Sequence, residues 1–345
     1  MKIRALTRPE TVLPLTAFGI TLVAFLLIPI YTDSAIASFD VYNTLQIFAR
    51  LGLVALALGL TMIAGEFDLS VVGTYALGGM LAVQAGQENY LYGVLAAVGA
   101  GAAIGLAQGV LIAGLKIPSM PVTLATYIAL LGLTSALSGG LSKTYSNADV
   151  TLWVDQTVLS VFSPRSLITL GLFVLAALLL GLTRWGRELR AIGGDRRASR
   201  VAGLRVDRLL VGTFVASGVL AALGGSLLSF SLGSANPDPG VQPLILAAAA
   251  ALLGGVSLAG GRGNPLGLLG GILAVALLAE VVTVAALPEY VTQLFYAGLL
   301  AIIVIIDAPD LRNGLIRLRT RIRSAPSSAP SPTTPSSTQI EETHA

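Results

Sequence analysis

Long apolar runs, broken by one basic island, constrain this chain more than any other feature. Each run is about 20 residues, the length a helix needs to cross the hydrocarbon core of a bilayer. Lipid offers no hydrogen bonds, so backbone N–H and C=O groups must be satisfied inside each segment, which selects α-helix. Alternating strand patterns are absent, which argues against a membrane barrel. Charged residues make up 11% of the 345 residues, against roughly 25% in a soluble domain. Residues 184–208 read RWGRELRAIGGDRRASRVAGLRVDR and hold eight of the eighteen arginines with only three acids. That island is too charged for lipid and has to face water on one side of a membrane.

The sequence predicts about ten spans, near 11–31, 43–64, 69–86, 91–115, 121–141, 166–183, 209–231, 243–259, 265–286 and 290–307. Ala35-Ile36-Ala37 resembles a signal-peptidase site, but the preceding apolar run is longer than a typical signal core, so a retained first helix is expected. With the N-terminus inside, ten alternating spans put Lys116, the 184–208 block, Arg262 and the Arg312–Arg323 cluster on one side. The other side, at 32–42, 142–165, 232–242 and 287–289, holds chiefly Lys143 and Arg165. Nearly all the positive charge then lies inside, as expected for cytoplasmic loops, so both termini are expected in the cytoplasm. The organisation is a short N-terminus (1–10), a polytopic domain (11–310) and a basic, then Pro/Ser/Thr-rich tail (311–345) whose composition predicts disorder.

Several chemistries are disfavoured at the outset. The chain has no cysteine, and its one histidine, His344, lies in the tail; a thiolate or histidine metal site and a Ser-His-Asp triad are not expected. No GxxxxGK[ST] sequence cradles a phosphate, so the chain is not expected to hydrolyse ATP, and no cofactor is implied. Gly101, Gly105 and Gly109 repeat every four residues, as do Gly263, Gly267 and Gly271. That spacing puts small residues on one helix face and predicts close helix packing.

Polar residues inside the apolar part are the pathway candidates. Gly65–Ser70, GEFDLS, places two carboxylates in an apolar stretch. Asp68 and Ser70 suit a helix N-cap, or the polar ends of a broken helix that shapes a gate. Arg50 and Glu280 are single charges within spans and are functional candidates by default. Gln46, Gln108, Thr123 and Gln293 offer hydrogen bonds to a polar solute or to a neighbouring helix. Asn236–Gly240, NPDPG, reads as an external turn.

Three stretches, in order, resemble permease subunits of bacterial ABC importers of the ribose/xylose type, within the branched-chain amino-acid permease superfamily. They are Gly65–Gly73 (GEFDLSVVG), Gly186–Val206 (GRELRAIGGDRRASRVAGLRV) and Ala247–Gly263 (AAAAALLGGVSLAGGRG). The resemblance spans roughly residues 10–315. It implies an all-α fold of about ten helices, like that of the cobalamin permease. It also implies a second permease subunit, identical or paralogous, a pair of cytoplasmic ATP-binding subunits and an extracytoplasmic solute-binding protein. Within 184–208, Arg187, Arg190, Gly193, Gly194, Asp195, Arg196, Arg197, Arg200 and Gly203 would form the ATPase-coupling segment. Asp195 caps a short helix, Arg196–Gly203, with Val201 and Leu204 as anchors and Arg196, Arg197 and Arg200 towards the partner. Three positions depart from the family pattern: Glu66-Phe67, Asp195 and Glu280.

The expected function is that of a non-catalytic permease of the bacterial inner membrane, moving a monosaccharide or similar solute while separate subunits hydrolyse ATP. Branched-chain amino acids, nucleosides or a furanose signal molecule are the alternative cargoes on the same fold. An ion-coupled secondary transporter using Arg50 and Glu280 is the alternative of another class. Membrane lipid is an expected contact of the basic island; nucleic acid is not an expected partner.

Overall fold

The computed structural model describes residues 9–32, 35–288 and, discontinuously, positions between 290 and 301. In chain order the helices are α1 (Pro9–Leu26), α2 (Ile28–Thr32), α3 (Ser38–Ile63), α4 (Val71–Ala85), α5 (Tyr90–Gly114), α6 (Ser119–Ser138), α7 (Ala148–Asp155), α8 (Pro164–Leu182), α9 (Arg184–Gly194), α10 (Arg196–Val201), α11 (Val206–Ser231), α12 (Gln242–Leu253) and α13 (Pro265–Val284). Two short strands, β1 (Lys143–Thr144) and β2 (Ser234–Ala235), pair antiparallel. Among the described residues, α3, α5, α6, α8, α11 and α13 are long and apolar enough to cross a membrane. Pro14–Ile30, Val71–Ala85 and Gln242–Leu253 are apolar but shorter.

Helices thus occupy nine of the ten expected span positions, and six of them have full spanning length. The tenth position, 290–307, lies largely outside the described residues, as do the Arg312–Arg323 cluster and the tail. Two expectations change. The first span is interrupted at Leu27 into α1 and α2. The segment 142–165 is not a plain loop, because it contains α7, opened by Asn147 accepting from the Val150 N–H at 3.2 Å.

Local chemistry sets the boundaries. Asn89 caps α5 through the Leu91 N–H at 2.9 Å. Ser163 and Ser166 form a reciprocal cap on α8, with Pro164 in the first turn. Asn264 opens α13 by accepting from the Leu266 N–H at 3.0 Å, with Pro265 in the first turn. Gly139 ends α6 in the left-handed conformation that glycine tolerates.

The central helix is α3. Its most apolar stretch is 83% buried within the chain, against 17% for α6, so α3 is core and α6 leaves its surface to lipid or another protein. Glycine faces bring the remaining helices together. A Cβ on Gly105 would strike the Phe214 carbonyl, and one on Gly109 would lie 2.7 Å from Val211 Cα. The Gly101–Gly105–Gly109 face is therefore the α5–α11 seam, as its spacing predicts. Gly267 and Gly271 do the same against Gly254 and Ala250 of the α12 side. Gly263, the first of that triplet, instead lies in the loop before α13 and meets the Ile63 side chain. Helix α1 packs along α13, with Pro14 next to Gly267 and Gly270.

The 184–208 block runs into the first turn of α11, while β1 follows α6 and β2 follows α11. The 26 residues of α11 put these two regions at opposite ends of a helix about 39 Å long.

Gly105→Ala forces the α5–α11 backbones apart, a strain of at least about 1–3 kcal/mol. A fall of several degrees in the melting temperature of detergent-solubilised protein is expected. Gly99→Ala, where a Cβ meets nothing within 4 Å, leaves the melting temperature unchanged or raises it slightly.

Candidate functional site

At the basic end of the molecule, three turns distant in sequence meet backbone to backbone. Helix α9 is amphipathic: Gly186, Leu189 and Ile192 are buried while Arg184 and Arg187 are exposed. Arg190 Nη2 donates to the Leu180 carbonyl at 3.0 Å, closing the end of α8. Gly193 then abuts the end of α3, where a Cβ would strike the Ile63 carbonyl and lie 2.5 Å from Gly261 N. The Gly261 N–H donates to that same Ile63 carbonyl at 3.0 Å. A Cβ on Gly260 would lie 2.5 Å from Gly65 Cα and 2.8 Å from the Gly193 carbonyl oxygen. Gly65, Gly260 and Gly261 all have φ between +72° and +80°, a region in which side chains are strained. Glycine is thus required here twice, for conformation and for contact.

Asp195 adopts an extended conformation that separates α9 from α10, and its side chain accepts from the Ala198 N–H at 2.9 Å. The expected cap is present, and α10 runs Arg196–Val201, followed by Gly203 at φ +83°. The expected orientation of its arginines needs correction. Arg196 turns inward, forms an ion pair with Glu66 and donates to the Gly65 carbonyl at 3.4 Å. Arg200 pairs with Asp207 at 2.8 Å in an exposed setting, an arrangement of small energetic value. Arg197 and Val201 face outward, Val201 at 86% exposure. Leu204 is half-buried. Gly194 is exposed and lies against Gly261.

The turn gripped by Arg196 continues into a buried polar network. Asp68 Oδ1 accepts from the Ser70 N–H at 3.0 Å and from Ser70 Oγ at 2.6 Å. Ser217 Oγ of α11 donates to Asp68 Oδ2 at 3.1 Å. Gln108 Nε2 of α5 donates to Ser70 Oγ at 2.6 Å. Thr123 Oγ1 of α6 reaches the Phe67 carbonyl at 3.3 Å. Asp68 therefore orders the first turn of α4. Ser70, expected to cap, makes no side-chain cap bond, because its hydroxyl is held between Asp68 and Gln108. Three sequence candidates, Asp68, Ser70 and Gln108, come together in one network fixed to two neighbouring helices.

The other candidates lie elsewhere. Gln46 accepts from Arg165 at 2.6 Å near the start of α8. Glu280 is buried, and Asn43 Nδ2 donates to it at 3.4 Å. Arg50 is exposed on α3 and forms no ion pair with Glu280. Gln293 is exposed. Sequence reasoning missed the Arg196–Glu66 pair, Ser217 and the partners of Arg165. Only Glu66 gave a signal, as an acid where the family pattern has a small residue.

The family described as branched-chain amino acid transport system / permease component matches residues 41–304. The chain belongs to this family. It is similar to the ribose import permease protein of Escherichia coli K12, at 32% identity over 275 residues, 78% of this chain and 85% of that protein. The fructose import permease protein of Rhizobium meliloti is 30% identical over 313 residues, 86% of this chain and 82% of that one. The L-arabinose ABC transporter permease protein of Azospirillum brasilense is 30% identical over 259 residues, 74% of this chain and 76% of that one. No solved structure matches the chain. As a permease component it is a multi-pass protein of the inner membrane and performs no catalytic step of its own. The three stretches that carry the family resemblance are the three that meet at the glycine junction.

In this permease, Arg196→Ala leaves the buried Glu66 carboxylate unpaired, at a cost of about 1–3 kcal/mol given the partial exposure of Arg196. A double-mutant cycle with Glu66→Ala, read from thermal midpoints of the purified protein, is expected to give a favourable coupling of about 1 kcal/mol or more.

Proposed function

We propose that the chain is the membrane permease subunit of an ATP-driven importer for a monosaccharide or similar small polar solute. The carrying observation is the glycine junction. It joins an exposed basic segment, α9–α10, to the turn 64–70 and to the loop before α13 with no flexible side chain between them. Its three contributing stretches are also those that resemble importer permeases. The solute class is supported by the ribose, fructose and arabinose permeases to which the chain is similar.

On this reading the chain has ten spans, a cobalamin-permease-like fold and both termini in the cytoplasm. The 184–208 block docks on paired cytoplasmic ATPase subunits through Arg187, Arg197, Arg200 and Val201. A second permease subunit completes a central pathway, and the sparsely buried face of α6 is available to it or to lipid. A solute-binding protein delivers cargo at the opposite end, where α7 and the β1–β2 pair lie. ATP-driven closure of the ATPases displaces α9 and α10. Gly193 and Arg196 pass that displacement to the turn 64–70, which is bonded to α11 through Asp68 and to α5 through Ser70. Those helices then rearrange to expose the pathway to alternate sides. This chain contributes the pathway and the lever; the ATPase subunits contribute the chemistry.

In proteoliposomes holding the whole importer, uptake of one of D-ribose, D-fructose or L-arabinose should require ATP and survive a protonophore. Arg197→Glu should lower uptake about tenfold or more while residual ATP hydrolysis persists, the scale expected of a like-charge clash at a docking surface. Uptake that collapses with the protonophore but survives ATP depletion would favour ion coupling through Arg50 and Glu280. Normal uptake and hydrolysis in Arg197→Glu would contradict the docking assignment.

A further inference from the structure

All the buried side-chain polar atoms that lack a hydrogen-bond partner among the described residues fall in one place. They are Gln46 Nε2, Asp155 Oδ1, Arg165 Nε, Arg165 Nη1 and Thr169 Oγ1. They come from three elements, α3, α7 and α8, at the end of the molecule opposite the basic block. Arg165 is 5% exposed and Thr169 is fully buried. By contrast, the equally buried Asp68–Ser70–Gln108–Ser217 network leaves no such atom. Buried polar groups are satisfied in the great majority of native structures, so a cluster of exceptions points to something absent from the chain itself.

The cluster is organised as well as unsatisfied. Arg165 Nη2 donates to Gln46 Oε1 at 2.6 Å and forms an ion pair with Asp155 Oδ1 at 3.2 Å. Tyr42 Oη donates to the Asp155 carbonyl at 2.6 Å, and Ser231 Oγ holds Asp155 Oδ2. These bonds fix the guanidinium and leave its Nε and Nη1 without a hydrogen-bond partner. Thr169 lies one helical turn below Arg165. Hydroxyls in membrane helices commonly bond the carbonyl four residues back, as Thr134 and Thr213 do here, yet Thr169 does not. Its methyl packs on Gly52, which fixes its rotamer.

The cluster borders an exposed face of α3 through the half-buried Gln46. Along α3, Phe39, Asn43, Gln46 and Arg50 fall on one face and are exposed or half-buried, while the next residues on that face are buried. Arg50 lies about 18 Å below the first residue of α3. An exposed guanidinium at that depth cannot face hydrocarbon without large cost. Arg50 is an electrostatic neighbour of Arg165 and Tyr75. Exposed or half-buried positions therefore run from the outer end of α3 down to Arg50 and include Gln46, the hydrogen-bond partner of Arg165.

The geometry points to a solute-contact site formed by Arg165, Gln46, Thr169 and Asp155, whose ligand is a vicinal diol of a neutral polyhydroxylated solute. The inference rests on the importer reading above and names where the cargo first touches the permease. Hydroxyl oxygens accept from Arg165 Nε, Arg165 Nη1 and Gln46 Nε2, and a hydroxyl hydrogen goes to Asp155 Oδ1. The neighbouring carboxylate disfavours an anionic ligand. Arg50 marks the lower limit of the site.

The chain has no cysteine, so Thr169→Cys carries its only thiol. The whole importer in proteoliposomes is treated with a membrane-impermeant cationic methanethiosulfonate from the binding-protein side. Binding protein is supplied either empty or loaded with whichever of D-ribose, D-fructose or L-arabinose the unmodified importer takes up. The expected result is labelling that the loaded state slows about fivefold or more, as occupancy of the site dictates. Gln46→Cys serves as a second probe with the same expectation. Labelling at equal rates with empty and loaded binding protein, in an importer that transports the sugar, means that water alone fills the cluster, and overturns the site. Absence of labelling in every nucleotide state, with transport intact, means a sealed structural ion pair and also overturns it. Failure of the unmodified importer to take up any of the three sugars removes the importer reading for these solutes, and this inference with it.

Discussion

Backbone-to-backbone contact at glycine is the interaction on which this structure depends. In lipid there is little hydrophobic gain from pressing one apolar helix against another, so close packing and internal hydrogen bonding supply the cohesion. Gly105 against Phe214, Gly225 against Tyr75 and Gly271 against Ala250 hold the helices by this means. The junction of Gly65, Gly193, Gly260 and Gly261 applies the same principle to turns. It differs in consequence, because it fastens a water-exposed basic segment to the membrane part without side chains that could yield.

Rigidity of that kind suits a lever. Packed interfaces transmit displacement because they do not deform continuously. The ion pair of Arg196 with Glu66 adds a directional hold on the same turn. Beyond it, each polar residue of the turn is tied to a different helix: Asp68 to α11 through Ser217, and Ser70 to α5 through Gln108. Two carboxylates in an apolar stretch thus have separate roles. Glu66 meets the basic 184–208 segment and Asp68 meets the helices.

Much of the architecture was legible in the sequence because its signals are local. Apolar runs of spanning length, a cap such as Asp195, and four-residue glycine spacing each report on a single element. What was not legible is tertiary. Gly65, Gly193 and Gly260 are far apart in the chain, and nothing about a glycine announces its partner. Arg196, Arg197 and Arg200 look alike in sequence, yet one turns inward, one faces water and one pairs with Asp207. Ser217 is a serine in an apolar helix with no local mark, and Arg165 reads as an ordinary flanking residue until Gln46 and Asp155 are brought beside it. Helix α7 carries little sequence signal, because eight residues with an internal aspartate give little periodicity and its start is set by a single asparagine.

The motion proposed above requires the 184–208 segment and the turn 64–70 to move as one body. Spin labels on cysteines introduced at Arg187 and Leu69, in a chain with no native cysteine, measure this directly by pulsed electron–electron distance spectroscopy in the assembled importer. The account predicts the same 187–69 distance in the nucleotide-free and ATP-bound states, while the distance from 187 to a label at Tyr90, at the opposite end of α5, changes between them. A 187–69 distance that shifts between the two states would contradict it.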